Sequence, residues 1–489
     1  MYQTFLLYSS SLALLAHIAI VIGLSMRVIM KRPATGVALA WLLLISAFPV
    51  FGPIVYVLIG ERRVGGGRIR RIEALRTDYR EIYHRSLSEE LTSVDWSKHS
   101  PSVRAMNELG MNMIGSPTVH GSNLELFDNA HGILEAVTHD INCAQKSVLM
   151  EFYIWSEGGL ADGVLDAIIA AAQRGVSCRI LVDAVGGRPW WRGQQPTQLR
   201  AAGVDVRPAL PVSIFSSLFA RTDLRLHRKI VVIDGVLAWT GSMNLVDPSF
   251  FKQDAGVGEW VDAMVRVKGA AVVPLAATMI GDWLIESTDT LEDVITRADL
   301  RDVTPLGTAD VQVVGSGPGQ TSDGLLQMVL ALIQAAREEL VLTTPYLVPD
   351  DSLLHALRGA AGRGVKVKII VPQIVDSILT RYASRSYYGD LLEIGVEIYL
   401  YQRGLLHTKS IMVDQKLSMF GTVNLDMRSI WLNYEVALFV YQAEFALELG
   451  ALQTNYIANS IQLDAAAWAQ RPFSHRFLEN TLRLLSPLL

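Results

Sequence analysis

The stretch LHRKIVVIDG at residues 226–235 is followed at 240–245 by TGSMNL, and the pair nearly recurs. LHTKSIMVDQ at 406–415 precedes FGTVNL at 420–425. Both copies carry the pattern H-x-K-x4-D, with Asn at the same distance after His. A lone H-x-K on a strand is ordinary surface chemistry, but a matched set of His, Lys, Asp, Gly, Ser or Thr, and Asn is not. Side chains alternate along a strand, which predicts that His227 and Lys229 share one face, as do His407 and Lys409. Asp234 and Asp414 fall at the strand ends with opposite parity, where DG and DQ can turn the chain. The return strands end at GSMN and GTVN, whose small residues allow close approach of an anion. Ser242, Asn244, Thr422 and Asn424 are the candidate contacts there.

Outward from these motifs the same order of elements appears twice. SVLMEFYIW reads as a strand, LADGVLDAIIAAAQRG as a helix and VSCRILVDAV as a buried strand. ELVLTTPYLV, DDSLLHALRGAAGRG and VKVKIIVPQIV repeat that order before the second motif. QRGV and GRGV mark equivalent helix-to-strand turns, where glycine permits the left-handed cap. The expected body is therefore a duplicated α/β unit. Glu151 and Tyr346, at strand ends, are candidates for lining its cleft. The expected divisions are 1–60, an N-terminal two-helix membrane hairpin, and 61–105, a basic connector with a linker helix. The two α/β halves follow at 106–300 and 301–489.

The membrane expectation comes from two apolar runs, residues 4–26 and 35–60, each long enough to cross hydrocarbon as a helix. A cleaved signal peptide would need a basic start, which MYQTFLLYSSS lacks. Pro49 and Pro53 interrupt the second run, which predicts a kinked or partly re-entrant helix there. Arg27, Lys31 and Arg32 lie between the runs, against Arg62, Arg63, Arg68, Arg70 and Arg71 beyond them. That bias places the body on the cytoplasmic side. RRVGGGRIRR reads as a flexible basic connector with affinity for anionic lipid heads. PVSIFSSLFAR at 211–221 reads as core, with a membrane-dipping lip as the alternative. SHRFLENTLRLLSPLL reads as a basic amphipathic helix for a bilayer or a partner. A net charge of −5 gives no electrostatic footprint for nucleic acid. Two cysteines without ligand spacing and no acidic constellation point to neither disulfides nor a metal.

Each half offers an imidazole, an ammonium and an amide, which together suit a phosphodiester. A Lys–Asn cluster can stabilise phosphoryl charge. One His can attack phosphorus, and a second can protonate the departing alcohol and then deprotonate the incoming one. Two histidines on opposite sides of one phosphate require two half-sites, which a duplication supplies.

Two H-x-K-x4-D motifs, each followed by G-[ST]-x-N, resemble the phospholipase D superfamily. With the two membrane runs, RLHRKIVVID, GTVNLDMRSIWLNYE and the terminal LENTLRLLSPLL, the chain looks like the bacterial cardiolipin synthase family along essentially its whole length. The resemblance implies two phospholipase D-type α/β halves sharing one active site in the bacterial inner membrane. The implied reaction passes a phosphatidyl group from one phosphatidylglycerol to another, giving cardiolipin and glycerol without a cofactor or metal. His227, Lys229, Asp234, His407, Lys409 and Asp414 match the motifs. His227 would form phosphohistidine, and His407 would act as acid, then base. Asp262 and Glu435 would orient the histidines, each expected to serve the motif it follows. Implied partners are phosphatidylglycerol and anionic membrane lipids, with association into a homo-oligomer left open. The rival readings are a hydrolytic phospholipase D, a related phosphatidyltransferase with another acceptor, and a lipid-binding scaffold without turnover. Asp426 and Arg428, in NLDMRS, have no simple twins in NLVDPSF, so donor and acceptor pockets could differ there.

Overall fold

The computed structural model describes residues 2–48, 50–61, 65–212, 221, 223–300, 303–319 and 323–486. It divides into two compact units, Met1–Ile69 with Val212–Asp223, and Arg70–Pro211 with Leu224–Leu489.

In the first unit, helix Tyr2–Lys31 includes the apolar stretch Leu14–Lys31, of mean hydropathy 1.8 and only 6% buried. At 1.5 Å per residue its 18 residues approach the thickness of a hydrocarbon core, about 30 Å. The second run does not form one kinked span. It breaks into Thr35–Ala47 and Phe51–Ile59, with Val50 in the left-handed region at φ 68°. Among the described helices, one is long and apolar enough to cross a membrane, so two full spans are not reproduced. Pro53 sits in the first turn of its helix, where the missing N–H costs nothing, and Pro49 lies outside the described residues. Val28, Ile45 and Tyr56 form a small core, with Trp41 edge-on to Tyr56 at 5.3 Å. Arg27 and the Tyr56 hydroxyl both donate to Glu61, at 2.6 and 2.7 Å.

Helix Gly66–Ser86 corrects the flexible-connector expectation. Arg, Glu, Leu and Ala are strong helix formers and outweigh the two leading glycines. Arg62 and Arg63 lie outside the described residues, as do 213–220 and 222, which hold most of the proposed apolar lip.

The second unit is built on one 16-stranded mixed sheet and two separate two-stranded sheets. Its first half contributes β1 (Thr118–Phe127), β2 (Ser147–Phe152), β3 (Ser177–Asp183), β4 (Asp205–Ala209), β5 (Arg225–Leu226), β6 (Ile230–Ile233), β7 (Leu237–Gly241), β8 (Trp260–Val261) and β9 (Met264–Gly269). The second half contributes β10 (Ala309–Ser316), β11 (Glu339–Thr343), β12 (Leu347–Val348), β13 (Lys366–Pro372), β14 (Glu397–Tyr401), β15 (Leu405–Leu406), β16 (Ser410–Val413), β17 (Leu417–Gly421), β18 (Leu425–Asp426), β19 (Asn433–Val440) and β20 (Ser460–Gln462). Outward from the middle, one half runs β1-β9-β7-β6-β2-β3-β4 and the other β10-β19-β17-β16-β11-β13-β14-β20. β1 and β10 pair antiparallel, with Thr118 opposite Gln312, and so fuse the two half-sheets into one. Each half packs helices on its own apolar cluster, one around Val148, Ile180 and Val231, the other around Leu340, Ile369 and Ile411.

Two short pairings cross between the halves. β5 runs parallel to the start of β19, and β15 runs parallel to β8. Both H-x-K motifs follow these crossing strands directly. His227 and Lys229 therefore do not lie within a continuous strand, as the alternation predicted. The strand stops at Leu226 and resumes at Ile230, and the second copy stops at Leu406 and resumes at Ser410. The chain switches partners there, from the opposite half to its own sheet.

The C-terminal helix Phe473–Arg483 keeps Phe473 and Phe477 exposed. Glu479 turns inward and Arg483 pairs with a neighbouring helix, whereas His475 and Arg476 stay exposed. Glu479 accepts from Arg385 at 2.8 Å and from Arg471 at 2.5 Å, while Arg483 donates to Asp390 at 2.7 Å. The exposed face joins Phe473 and Phe477 to Arg476 and so is both apolar and basic.

Candidate active site

The crossing strands carry the two histidines into buried positions, 7% exposed for His227 and 3% for His407. The His227 backbone N–H donates to Tyr434 O at 2.9 Å, and that of His407 to Val261 O at 2.8 Å. The acceptor residues immediately precede Glu435 and Asp262. Each imidazole is consequently delivered to a carboxylate of the opposite half. His227 Nδ1 lies 2.9 Å from Glu435 Oε2, and His407 Nδ1 lies 2.7 Å from Asp262 Oδ1. This corrects the expectation that each carboxylate serves the motif it follows. In both pairs Nδ1–H donates to the carboxylate, which leaves Nε2 with the lone pair.

Burial pushes both imidazoles down to about 4, against the raising effect of the partner carboxylate, and the nearby lysines push the same way as burial. Burial alone would raise Asp262, but His407 and Lys409 hold it down at about 2. Glu435 is likewise below its ordinary value despite burial, through His227 and Lys229. The resting site therefore pairs neutral imidazoles with carboxylates. Both lysines are fully buried, with Nζ donating to the carbonyl of the adjacent His, 2.5 Å in each half. Burial lowers Lys229 to about 8 and Lys409 well below its ordinary value.

The remaining motif residues separate into different roles. Ser242 and Thr422 do not present their hydroxyls to an anion, as expected of substrate contacts. Ser242 Oγ donates to Asp262 at 2.6 Å, and Thr422 Oγ1 to Glu435 at 2.5 Å. These hydroxyls fix the carboxylates that fix the histidines. Asn244 is buried, with Oδ1 accepting from the Ile154 N–H at 3.1 Å, while buried Asn424 has no hydrogen-bond partner on its Oδ1. Asp234 and Asp414 are not brought into this cluster. Asp234 accepts from the N–H groups of Gln145, Lys146 and Ser147, and Asp414 from those of Arg337, Glu338 and Glu339. Both have φ 51°, the left-handed turn that Asp tolerates.

Tyr346 donates to Asp376 at 2.7 Å. Asp426 caps helix Met427–Trp431 through the Ser429 N–H, and burial raises it to about 6. Glu151 is fully buried and does not line a cleft. Sequence reading missed the rings that frame the imidazoles: Tyr153 lies edge-on to His227 at 5.2 Å, and Trp260 lies 4.4 Å from His407. It also missed Arg228, although a charge inside an apolar H-x-K run, with Thr408 at the matching position, was a visible signal. Among the described residues no group of His, Cys, Asp and Glu has the geometry of a metal site.

Two fused α/β halves, each lending a histidine to the other's carboxylate, define a class of phosphodiester-handling proteins built by duplication. A family model described as cardiolipin synthase, phospholipase D-like domain, matches residues 137–272 and 329–452, and one described as phospholipase D-nuclease N-terminal matches 19–61. Cardiolipin synthase A of Serratia proteamaculans is 41% identical over 99% of this chain and all of its own length. Cardiolipin synthase A of Yersinia pseudotuberculosis is 42% identical over the same shares. A phosphatidylserine synthase structure from Haemophilus influenzae has the same fold, with a TM-score of 0.60 at 15% identity, covering 79% of this chain and all of that one. The chain belongs to the cardiolipin synthase family of the phospholipase D superfamily and is a phosphatidyltransferase of that type.

Proposed function

We propose that the protein joins two phosphatidylglycerol molecules into cardiolipin and releases glycerol. The crossed histidine–carboxylate pairs carry this reading. His227 Nε2 attacks the donor phosphorus while the bond to the glycerol oxygen breaks, and His407 gives that oxygen its proton. The phosphatidyl group is then held on His227. His407 next takes the proton of the acceptor hydroxyl, whose oxygen attacks phosphorus and breaks the P–N bond. Lys229 and Lys409 balance charge on the phosphoryl oxygens, with the amide N–H groups of Asn244 and Asn424 as further donors. A neutral resting imidazole suits the nucleophile. The acid role needs a proton on His407, and an anionic phosphodiester between the pairs raises both imidazoles from their resting values.

The same reading places the apolar N-terminal helix in the bacterial inner membrane, with the body on the cytoplasmic side, as the arginines after the second run favour. The experiment is lipid analysis after incubating the purified full-length protein in detergent with phosphatidylglycerol. Cardiolipin and glycerol in equal amounts are expected. Phosphatidic acid without cardiolipin would instead establish a hydrolase with water as acceptor.

A further inference from the structure

The two-histidine chemistry leaves one buried charged cluster unused. Arg228, between His227 and Lys229, is fully buried. Its Nε donates to the backbone carbonyl of Glu435 at 3.0 Å and its Nη2 to that of Ser316 at 2.9 Å, both in the opposite half. Its Nη1 pairs with Asp282, from helix Val272–Glu286, and its guanidinium faces the Tyr434 ring at 5.6 Å. Glu151 stands opposite Ile230 in the β2–β6 ladder and is fully buried, beside Asp282, Arg228 and Lys229. As a carboxylate it finds no donor, whereas protonated it can donate to Asp282. The second half has no such cluster. Thr408 replaces Arg228 and meets the Tyr456 hydroxyl at 3.0 Å, while Gln453 bridges Thr343 and Ser410 at 3.3 and 3.1 Å. The halves are alike at the reacting atoms and unlike directly behind them.

We propose that Arg228 is a positioning residue for the first half alone: locked by Asp282, with Glu151 as a reserve carboxyl, it holds the strand bearing Glu435 against His227. One buried cation needs one buried anion. Asp282 supplies it, so Glu151 keeps its proton. Burial and the Asp282 charge raise Glu151 well above its ordinary value, in keeping with this assignment. If Asp282 is neutralised, Glu151 loses its proton and takes over the pairing.

The test is a double-mutant cycle on the full-length enzyme in detergent with phosphatidylglycerol. Glu151→Gln is expected to keep turnover within about twofold, and Asp282→Asn within about tenfold, because one carboxylate still faces Arg228. The double variant leaves Arg228 buried without an anion, and is expected to lose at least about a hundredfold more than the product of the single losses. A double variant no worse than that product overturns the lock. If the double variant fails to fold, the triple Arg228→Met, Glu151→Gln, Asp282→Asn removes both charges and the protonated carboxyl together. It is expected to fold with KM within about threefold of wild type and to phosphorylate His227 at least about tenfold more slowly in rapid quench. An unchanged rate there overturns the positioning role. The inference rests on His227 as nucleophile. Absence of phospho-His227 in the wild type would sink that reading, and the turnover of the triple variant would then decide the positioning role by the same tenfold criterion.

Discussion

His227 and His407 hold equivalent places in their halves, yet each answers to a carboxylate more than a hundred residues away in sequence. Replacing Glu435 by Gln offers an amide to Nδ1, allows the proton to move to Nε2 and so blocks the attacking lone pair. Phosphoenzyme formation in Glu435→Gln is expected to fall at least about a hundredfold. Asp262→Asn does the same to His407, the proton donor. A phosphatidyl ester of p-nitrophenol, whose leaving group needs no acid, separates the two. The burst of p-nitrophenol should return toward wild type in Asp262→Asn and in His407→Ala, but not in Glu435→Gln or His227→Ala. Pairing within each half would reverse the behaviour of the two carboxylate variants. The same pairs carry a pH signature. Both imidazoles lie near 4 in the folded chain, against an ordinary value of 6.5, so between those values the unfolded chain binds more protons and stability rises with pH. Full benefit is present above about 6.5 and is lost as pH falls toward 4. Thermal unfolding across this window should be less pH-dependent in His407→Gln than in wild type.

The two halves and the shared histidine chemistry were legible because polar residues repeated at fixed spacing inside apolar runs stand out locally, whereas Asp262 and Glu435 as orienting groups followed only from the family resemblance. The crossing was not. It depends on which of two similar strands each motif meets, and two-residue strands such as β5 and β15 leave almost no pattern. Alternation did not show that the strand is interrupted at His227 and Lys229, where the chain changes partners. At Asp234 the motif itself misled, since a residue spaced like part of the chemistry is a turn clamp. Asp234→Ala strips three N–H groups of their shared acceptor. Loss of such a cap costs about 1–2 kcal/mol, so a Tm drop of a few degrees is expected. Turnover per folded molecule should stay within about threefold of wild type, because Asp234 touches neither imidazole pair. Loss on the scale of His227→Ala, measured on protein shown to be folded by circular dichroism, would return Asp234 to the reacting cluster.

The β1–β10 seam fuses the two halves into one large sheet over two apolar clusters, and the exchanged strands β5 and β15 add contacts across the halves. Neither half can release its core without losing a strand contact in the other. Guanidinium unfolding of the body should therefore give coincident transitions by tryptophan fluorescence, which samples Trp239 in one cluster and Trp468 in the other, and by far-ultraviolet circular dichroism. Two separated transitions would mean that the halves unfold independently. In the membrane region the apolar length and an interruption of the second run were legible, but not its division into two short helices. The break into Thr35–Ala47 and Phe51–Ile59 follows from backbone geometry at Val50, which hydropathy does not register.

The crossed pairing has a consequence for descent. A lone copy of one half would own an imidazole and a carboxylate that cannot meet each other. Two copies related by a twofold axis would restore both pairs, so the earliest working form of such a design is a symmetric dimer. In that dimer every substitution strikes twice, and the two sides of the phosphate must remain alike. Joining the copies end to end removes that constraint. Arg228 can then face Thr408, and Glu151 can face Thr343, without either change being copied across the axis. A reaction that uses one lipid in two different parts, as giver and as taker, is a reaction for which that freedom matters.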